Sequence, residues 1–437
     1  MPPRLVIRGA ALAGDPPCLD ATVVVEGARI AAVAKGGEPI ALSPGDWSIP
    51  ADGRLLVPGS VDAHTHLALG ALLRFAGLPE RFPGSLRGLR LGFRKPLEDR
   101  LDPPALEALA AQGALSALRA GVTTVFALER GAPGRELDSL LAVERAVRRV
   151  GLRAALAYGA SDLGGVERGL AAVRAAQEFG EARRRDPLVR GMAGLEGLYA
   201  TGPATLESLA EPASRLGLHA SVGEDGADLE RSWALDGVRP VALLERRELL
   251  GPRTLLAHGT TTGSDEANLL RRADSALAAT PRAAAWWGTG LPPFEILAAH
   301  EVPVALGTDG LFPGTAGEAV ALAMHLRRRS SGPAPPPELL GHAVWPTAGL
   351  LAGQLFEDRL GALEPGALAD LTLLDWRPAG APVEGTDGDV AILWAGAPAA
   401  WVIVGGEVRL REGVPLRLDP AEVAARAREA ASRTLSD

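Results

Sequence analysis

Two histidines separated by one residue, His64 and His66, are the residues of this chain most suited to binding a metal ion. They stand at the end of a short apolar run that includes Val61. Side chains alternate along a β-strand, so both imidazoles would point to the same side and could bind one divalent cation. The pair alone is a weak signal, and its weight depends on where the fold places it.

Further polar side chains follow other apolar runs. His258 ends one run and Asp309 follows another. Glu224 follows a third run, which also contains His219. Imidazoles and a carboxylate suit Zn²⁺ or Fe²⁺, which take nitrogen and oxygen ligands. Such an ion would supply an activated water at neutral pH, and a carboxylate beside it could move the proton.

The order of the predicted elements explains how these side chains could meet. After residue 58, short β-branched runs alternate with helical segments rich in Ala, Leu and Arg. The predicted strands are residues 60–66, 121–128, 152–159, 189–197, 217–223, 253–258, 275–280 and 302–308. Eight strand–helix units in about 260 residues predict an α/β fold, a (β/α)₈ TIM barrel with its active site at the carboxyl ends of the strands. The segment 70–103 is expected to cover the barrel mouth.

Both ends of the chain are predicted to be rich in β-structure. A hairpin is expected to turn at Glu26 and Gly27, and apolar runs recur at 366–375, 390–394 and 400–406. We predict a flanking β-sandwich domain formed by both chain ends. The expected units are 1–57 with 362–418 as the composite sandwich, 58–361 as the barrel, and 419–437 as a C-terminal helix capped by Asp419.

The motifs and their order along the chain resemble those of the amidohydrolase superfamily. The resemblance rests on Pro58-Gly59-x-Val61-Asp62-x-His64-x-His66, on His258 after its strand, and on Gly307-Thr308-Asp309. It is similar to the branch of cytosine, guanine and adenosine-type deaminases and triazine hydrolases, and within it to the SsnA-type aminohydrolases. The resemblance implies a metal-dependent hydrolase of C–N bonds other than peptide bonds, an aminohydrolase (deaminase) of a heterocyclic or amidine-like small molecule.

The resemblance also implies roles for single residues. His64 and His66 would bind the metal, and Asp309 would bind it and orient or deprotonate the water. His258 would contact the water and the substrate, and Glu224 would donate a proton to the ring nitrogen or the leaving group. No lysine occurs on a predicted barrel strand, so the carboxylated lysine of two-metal members is missing. We expect one divalent ion, zinc first, with iron or manganese as alternatives.

The chain departs from the family's pattern on three strands. The fifth strand usually reads His-x-His-x-x-Glu with its second His on the metal, and Ser221 takes that position here. His219 lies one pleat deeper and could bind the metal only if the strand slipped or bulged; otherwise it is a hydrogen-bonded core residue. Glu196 replaces a histidine of the fourth strand and could bind a relocated metal or pair with an arginine. The seventh strand lacks the usual polar residues, and Trp286 and Trp287 follow it.

These departures leave three interpretations open. The chain is a C–N hydrolase with the residues named above, or a diverged non-catalytic member that binds a ligand or a partner protein. In the third interpretation, it is a hydrolase whose site is rebuilt around Glu196 or His219.

The bulk composition narrows the class of partner. The chain has 437 residues and a net charge of −8, which gives no basic surface for nucleic acid or an anionic membrane. The single cysteine, Cys18, excludes an internal disulfide and a thiolate metal site. We therefore expect a cytoplasmic protein that binds a small-molecule substrate, with no nucleic acid and no membrane as partner. Its oligomeric state is open, with a homodimer as one option.

Overall fold

The strands in the described part of the chain belong to three sheets. The computed structural model describes residues 4–13, 17–38, 40–76, 86–329, 343–377 and 397–436. Within these residues the strands are β1 (Leu5–Leu12), β2 (Cys18–Glu26), β3 (Arg29–Lys35), β4 (Trp47–Pro50), β5 (Leu56–Pro58), β6 (Ser60–Thr65), β7 (Val122–Glu129), β8 (Arg153–Tyr158), β9 (Val189–Leu195), β10 (Leu218–Val222), β11 (Thr254–His258), β12 (Ala276–Ala279), β13 (Val304–Leu306), β14 (Leu371–Leu374), β15 (Ala399–Val404), β16 (Glu407–Arg411) and β17 (Val414–Pro415).

The central sheet contains β6 to β13, and each strand pairs in parallel with the next along the chain. Its two edges meet where Thr308 N–H and Asp309 N–H both donate to the carbonyl oxygen of His64, each at 2.9 Å. These bonds curl the sheet into a barrel. The predicted (β/α)₈ TIM barrel is therefore confirmed, and the carboxyl ends of its strands meet at one mouth.

Helices connect the barrel strands, and one further helix follows β17. In chain order they are α1 (Leu67–Ala76), α2 (Leu86–Leu89), a π-helix (Arg90–Arg94), α3 (Lys95–Asp99), α4 (Pro103–Arg119), α5 (Glu136–Val150), α6 (Val166–Ala182), a 3₁₀ turn (Leu198–Ala200), α7 (Pro203–Ser208), α8 (Ala210–Leu216), α9 (Gly226–Asp236), α10 (Pro240–Arg246), α11 (Ser264–Arg272), α12 (Pro281–Trp287), α13 (Phe294–Ala299), α14 (Thr315–Arg329), α15 (Pro346–Phe356) and α16 (Pro420–Ser436).

Helix α4 illustrates how the sequence determines these elements. Asp102 accepts the N–H of Ala105 at 2.8 Å, and Pro103 occupies the first turn, where its missing N–H costs nothing. Leu106 and Leu109 are fully buried in the largest core cluster. Capping and burial of one apolar face therefore fix where this helix begins and which side it turns inward. Among the described helices, none is long and apolar enough to cross a membrane.

The two chain ends form the other two sheets, with strand orders β3-β2-β1-β4 and β17-β16-β15-β14-β5. Ile7 from the first sheet and Ile403 from the second lie in one buried cluster, so the sheets share a core. The predicted hairpin is present, because β2 ends at Glu26 and Gly27 takes the left-handed conformation with φ 57°. The domain boundaries expected from the sequence stay a prediction.

The C-terminal strands differ in extent from the prediction. β14 covers only the second half of the predicted 366–375, because the preceding backbone bonds to the other sheet: Gly366 N–H donates to Ile30 O and Ala369 N–H to Ala28 O, both at 2.8 Å. The predicted strand 390–394 lies outside the described residues. Helix α16 begins as expected after Asp419, which accepts the N–H of Ala421 at 2.8 Å.

Candidate active site

Four of the predicted site residues converge at the barrel mouth. Asp309 Oδ1 lies 3.5 Å from His64 Nε2 and 3.4 Å from His66 Nε2. His64, His258 and Asp309 each offer a ligand atom within 4.8 Å of those of the other two. In the part of the chain that the structure describes, this is the one such group of His, Cys, Asp or Glu. All four side chains are buried.

The donor atoms of this group fit a divalent metal ion. His64 Nε2 and Asp309 Oδ1 are buried and make no hydrogen bond with the residues that the structure describes, which is unusual for buried polar atoms. Two ligands that each lie about 2.1 Å from a tetrahedral ion are about 3.4 Å apart, close to the separations between Asp309 and the two imidazoles. Imidazole nitrogens with one carboxylate form a donor set typical of zinc.

The two histidines at the carboxyl end of β6 each have a contact at the Nδ1 atom. His66 Nδ1 donates to the carbonyl oxygen of Leu128, and His64 Nδ1 lies 2.8 Å from His219 Nε2. In each ring the Nε2 atom is thus left to face Asp309, as in metal sites where the second nitrogen fixes the ring orientation. His219 and Glu196, the alternative ligands considered from the sequence, are not in the group formed by His64, His258 and Asp309. His66 is not in that group either, but its Nε2 atom lies 3.4 Å from Asp309 Oδ1. Ser221 shares a face of β10 with His219.

The pKa values of these groups follow from burial and from their contacts. Burial lowers the pKa of His64, and burial together with the nearby His64 holds the pKa of His258 well below its ordinary value. Burial would raise the pKa of Asp309, but its contacts with His64 and His66 hold it well below the usual range. Burial would lower the pKa of His66, but Asp309 raises it.

Two site residues have left-handed backbone conformations. The φ angle is 74° at His258 and 53° at Asp309. This conformation costs a residue with a side chain about 1–2 kcal/mol and persists where the surrounding structure fixes it. His258 is the last residue of β11 and Asp309 lies just after β13, and the left-handed backbone directs both side chains into the mouth.

Asp62 fixes the turn that carries Asp309. Its carboxylate accepts the N–H of Thr308 at 3.0 Å and the Thr308 hydroxyl at 2.6 Å. The same carboxylate lies 3.4 Å from the N–H of His64. Burial raises the pKa of Asp62 to about 7. Sequence analysis included Asp62 in the motif without giving it a role, and its place two residues before His64 was the available signal.

Glu224 and His258 face each other beside the ligand group. His258 Nε2 lies 3.6 Å from Glu224 Oε2, and His258 Nδ1 lies 3.3 Å from Thr280 Oγ1. Thr280 follows the seventh barrel strand, so this strand contributes one polar partner to the site. Glu224 Oε2 also forms an ion pair with Arg90.

Residues 86–99, which we call the cover segment, pack over the mouth. They comprise α2, the π-helix and α3, and lie within the excursion predicted to cover the barrel. The π-helix buries Arg90 against Glu224, and places Arg94 Nη2 3.3 Å from His66 Nε2. Leu89 belongs to one buried cluster with Trp287, a tryptophan noted in the sequence.

Glu196 lies among further buried charges near this segment. Burial would raise its pKa, but Arg130 and Arg94 lower it. Glu98 lies 3.7 Å from Arg94 Nη2 and 3.6 Å from Arg130 Nη1. Sequence analysis did not find these arginines as site residues. Arg94 lies in the excursion after β6, and Arg130 follows β7, where a single arginine carries no periodic signal of burial.

The comparison with protein families decides the relationship of the chain. The model of the amidohydrolase family matches residues 55–409, from just before β5 through the barrel into β16. The chain belongs to the amidohydrolase family. The resemblance stated from the motifs is thus confirmed, and this amidohydrolase is an enzyme, a metal-dependent hydrolase of carbon–nitrogen bonds.

Individual relatives align with almost the whole length of this amidohydrolase. The 5'-deoxyadenosine deaminase of Methanothermobacter thermautotrophicus is 28% identical over 417 residues, which are 90% of each chain. The 5-methylthioadenosine/S-adenosylhomocysteine deaminase of Desulforudis audaxviator is 29% identical over 99% of each chain. The adenosine deaminase from Xanthomonas campestris with bound zinc has a TM-score of 0.84 and 22% identity, over 100% of this chain and 99% of that one. The last similarity shows the shared fold.

Proposed function

We propose that this amidohydrolase removes an amino group from a carbon atom of a nitrogen heterocycle, with one zinc ion as cofactor. The observation that carries the proposal is the convergence of His64, His66, His258 and Asp309, with Glu224 beside His258. The donor set favours zinc over iron or manganese, and the Xanthomonas campestris protein has bound zinc. Relatives named as deaminases of adenosine derivatives support a purine-like substrate.

The proposed roles follow from the positions of the side chains. His64, His66 and Asp309 hold the ion, which when bound supplies an activated water. The Asp309 carboxylate accepts the proton of the attacking water. His258 contacts the water and the substrate through Nε2, and Glu224 donates a proton to the ring nitrogen or the leaving amine.

Two of the sequence alternatives receive other roles in this proposal. His219 acts as a positioning residue, because its Nε2 atom bonds the far side of the His64 ring. Glu196 balances the charge of Arg130 and Arg94. The cytoplasmic location and the homodimer stay predictions.

Metal loading tests the proposal directly. Protein stripped with a chelator and reconstituted with Zn²⁺, Fe²⁺ or Mn²⁺ is expected to bind about one equivalent of metal, because the described residues contain one group of ligands. The zinc form is expected to release ammonia from adenosine derivatives, with stripped protein as the control. Elemental analysis and an ammonia assay measure the two results. Binding of less than ~0.1 equivalent of every ion would exclude the proposed cofactor.

Replacing Ser221 by His tests whether one ligand is missing. The imidazole would stand at the family's ligand position on β10, so we expect the affinity for Zn²⁺ to rise about tenfold or more, or about 1.4 kcal/mol. Titration against a chelating dye measures it. Ser214→His, on the exposed side of α8, is the matched control and should leave the high-affinity site unchanged. An unchanged affinity in the Ser221→His protein would show that another residue completes the site, with His258 the nearest candidate.

A further inference from the structure

Three buried guanidinium groups lie at the barrel mouth beside buried carboxylates. Arg90, Arg94 and Arg130 are each at most 5% exposed. In each of them the Nε atom makes no hydrogen bond with the described part of the chain. Glu98 lies 3.6 Å or more from Arg94 and Arg130, which is beyond ordinary hydrogen-bond length. Buried N–H groups are normally bonded, so this cluster has donors available for a ligand.

Two of these arginines contact groups that the proposed reaction needs. Arg90 pairs with Glu224 Oε2, the oxygen atom that also faces His258. Arg94 Nη2 approaches His66 Nε2, the nitrogen atom that faces Asp309. Neither Glu224 Oε2 nor His66 Nε2 can serve the reaction while a guanidinium occupies it. When these two atoms take part in the reaction, the guanidiniums of both arginines can turn to another acceptor, such as a group of the substrate.

The two guanidiniums are placed to meet one ligand. Arg90 and Arg94 are four residues apart, so they share one face of the π-helix. The ring of Tyr199 lies 4.7 Å from Arg90 Cζ and holds that guanidinium by a cation–π contact. Guanidiniums bind carboxylates and phosphates through two parallel hydrogen bonds, which is the geometry that the free donors can offer.

We propose that the substrate carries an anionic group, a carboxylate or a phosphate, which Arg90 and Arg94 bind in place of Glu224 and His66. The inference rests on the proposed function, since it concerns the substrate of the same site. The anionic group lies on the side of the mouth under the cover segment, and the heterocycle lies between that segment and Asp309. A neutral analogue leaves Arg90 on Glu224 and is a poor substrate.

Anion binding can be measured without turnover. Isothermal titration of the zinc-loaded protein with glutarate, inorganic phosphate and the neutral glutaramide is expected to show binding of one of the two anions and none of the amide. Binding of glutarate assigns a carboxylate, and binding of phosphate assigns a phosphoryl group. The titration needs no reaction. It therefore tests the anion site independently of the ammonia assay, which tests the proposed function.

Substitutions of Arg90 and Arg94 test whether these two residues bind the anion. Arg90→Met and Arg94→Met are each expected to weaken anion binding at least about tenfold. Arg94→Lys keeps the positive charge and should lose less anion affinity than Arg94→Met. It replaces the methionine variant in the test if that variant does not fold. Arg135→Met, at a side chain that is 53% exposed, is the matched control and should bind like the parent. Unchanged binding in both methionine variants, as direct coordination of the anion by zinc would give, overturns the proposal. So does the absence of binding of either anion.

Discussion

The Asp309→Asn protein is expected to lose about a thousand-fold or more of kcat/KM in ammonia release. Asp309 Oδ1 lies within 3.5 Å of both His64 Nε2 and His66 Nε2, so it is the single oxygen shared by the two imidazoles. An amide in its place keeps the shape of the side chain but carries no charge and accepts no proton. Steady-state kinetics of the zinc-loaded protein measure the loss, and elemental analysis shows whether zinc is still bound.

The control for this variant is a second Asp→Asn substitution away from the mouth. Asp265 is exposed in the first turn of α11, so Asp265→Asn should keep activity close to that of the parent. Circular dichroism of the Asp309→Asn protein should match that of the parent, because the turn is held by Asp62 and Thr308. Activity within threefold of the parent in a folded Asp309→Asn protein would refute the role of Asp309.

A methyl group added at Gly307 is expected to damage both the barrel and the metal site. A Cβ atom there would lie 2.6 Å from His64 N and 2.7 Å from His64 O, closer than such atoms approach. The obstacle is backbone, so β6 and the turn after β13 must move apart. We expect Gly307→Ala to lower the free energy of unfolding by about 1–3 kcal/mol, by analogy with overpacked cores. We also expect zinc affinity to fall about 10–100-fold, as when a supporting residue of a metal site is lost.

Gly251→Ala is the matched control, since a Cβ atom at Gly251 would have nothing within 4 Å. Urea unfolding and zinc titration of both variants separate the two effects. Equal zinc affinity in the Gly307→Ala and Gly251→Ala proteins would show that the ligands do not depend on the contact between β6 and the turn after β13.

The barrel and its ligand group were predictable because their signals are local. His64 and His66 end a strand, and Asp309 follows another. Parallel strands bring such ends together whatever lies between them in the sequence. The pairing of His64 with His219 depends instead on how two strands 155 residues apart are aligned. No periodicity within one strand reports that alignment.

The cover segment shows where prediction from the sequence ends. Its composition and its place after β6 suggested a position at the mouth. Which of its side chains turn inward depends on contacts such as that of Leu89 with Trp287. The burial of Arg90 and Arg94 is therefore a result of tertiary packing. It opposes the general preference of arginine for the surface, so sequence rules would place both outside.

The hydrogen bonds from Thr308 and Asp309 to the carbonyl oxygen of His64 have a consequence for the history of this protein. The same few atoms join the ends of the barrel and align the groups that would bind the ion. A protein that loses catalysis during evolution still needs the contact between β6 and the turn after β13, because its barrel would otherwise open. The acceptor is a backbone carbonyl that any residue at position 64 would supply. Descendants that have lost the reaction should therefore keep Asp62, which bonds Thr308, and Gly307, which has no Cβ to push β6 away, longer than Glu224.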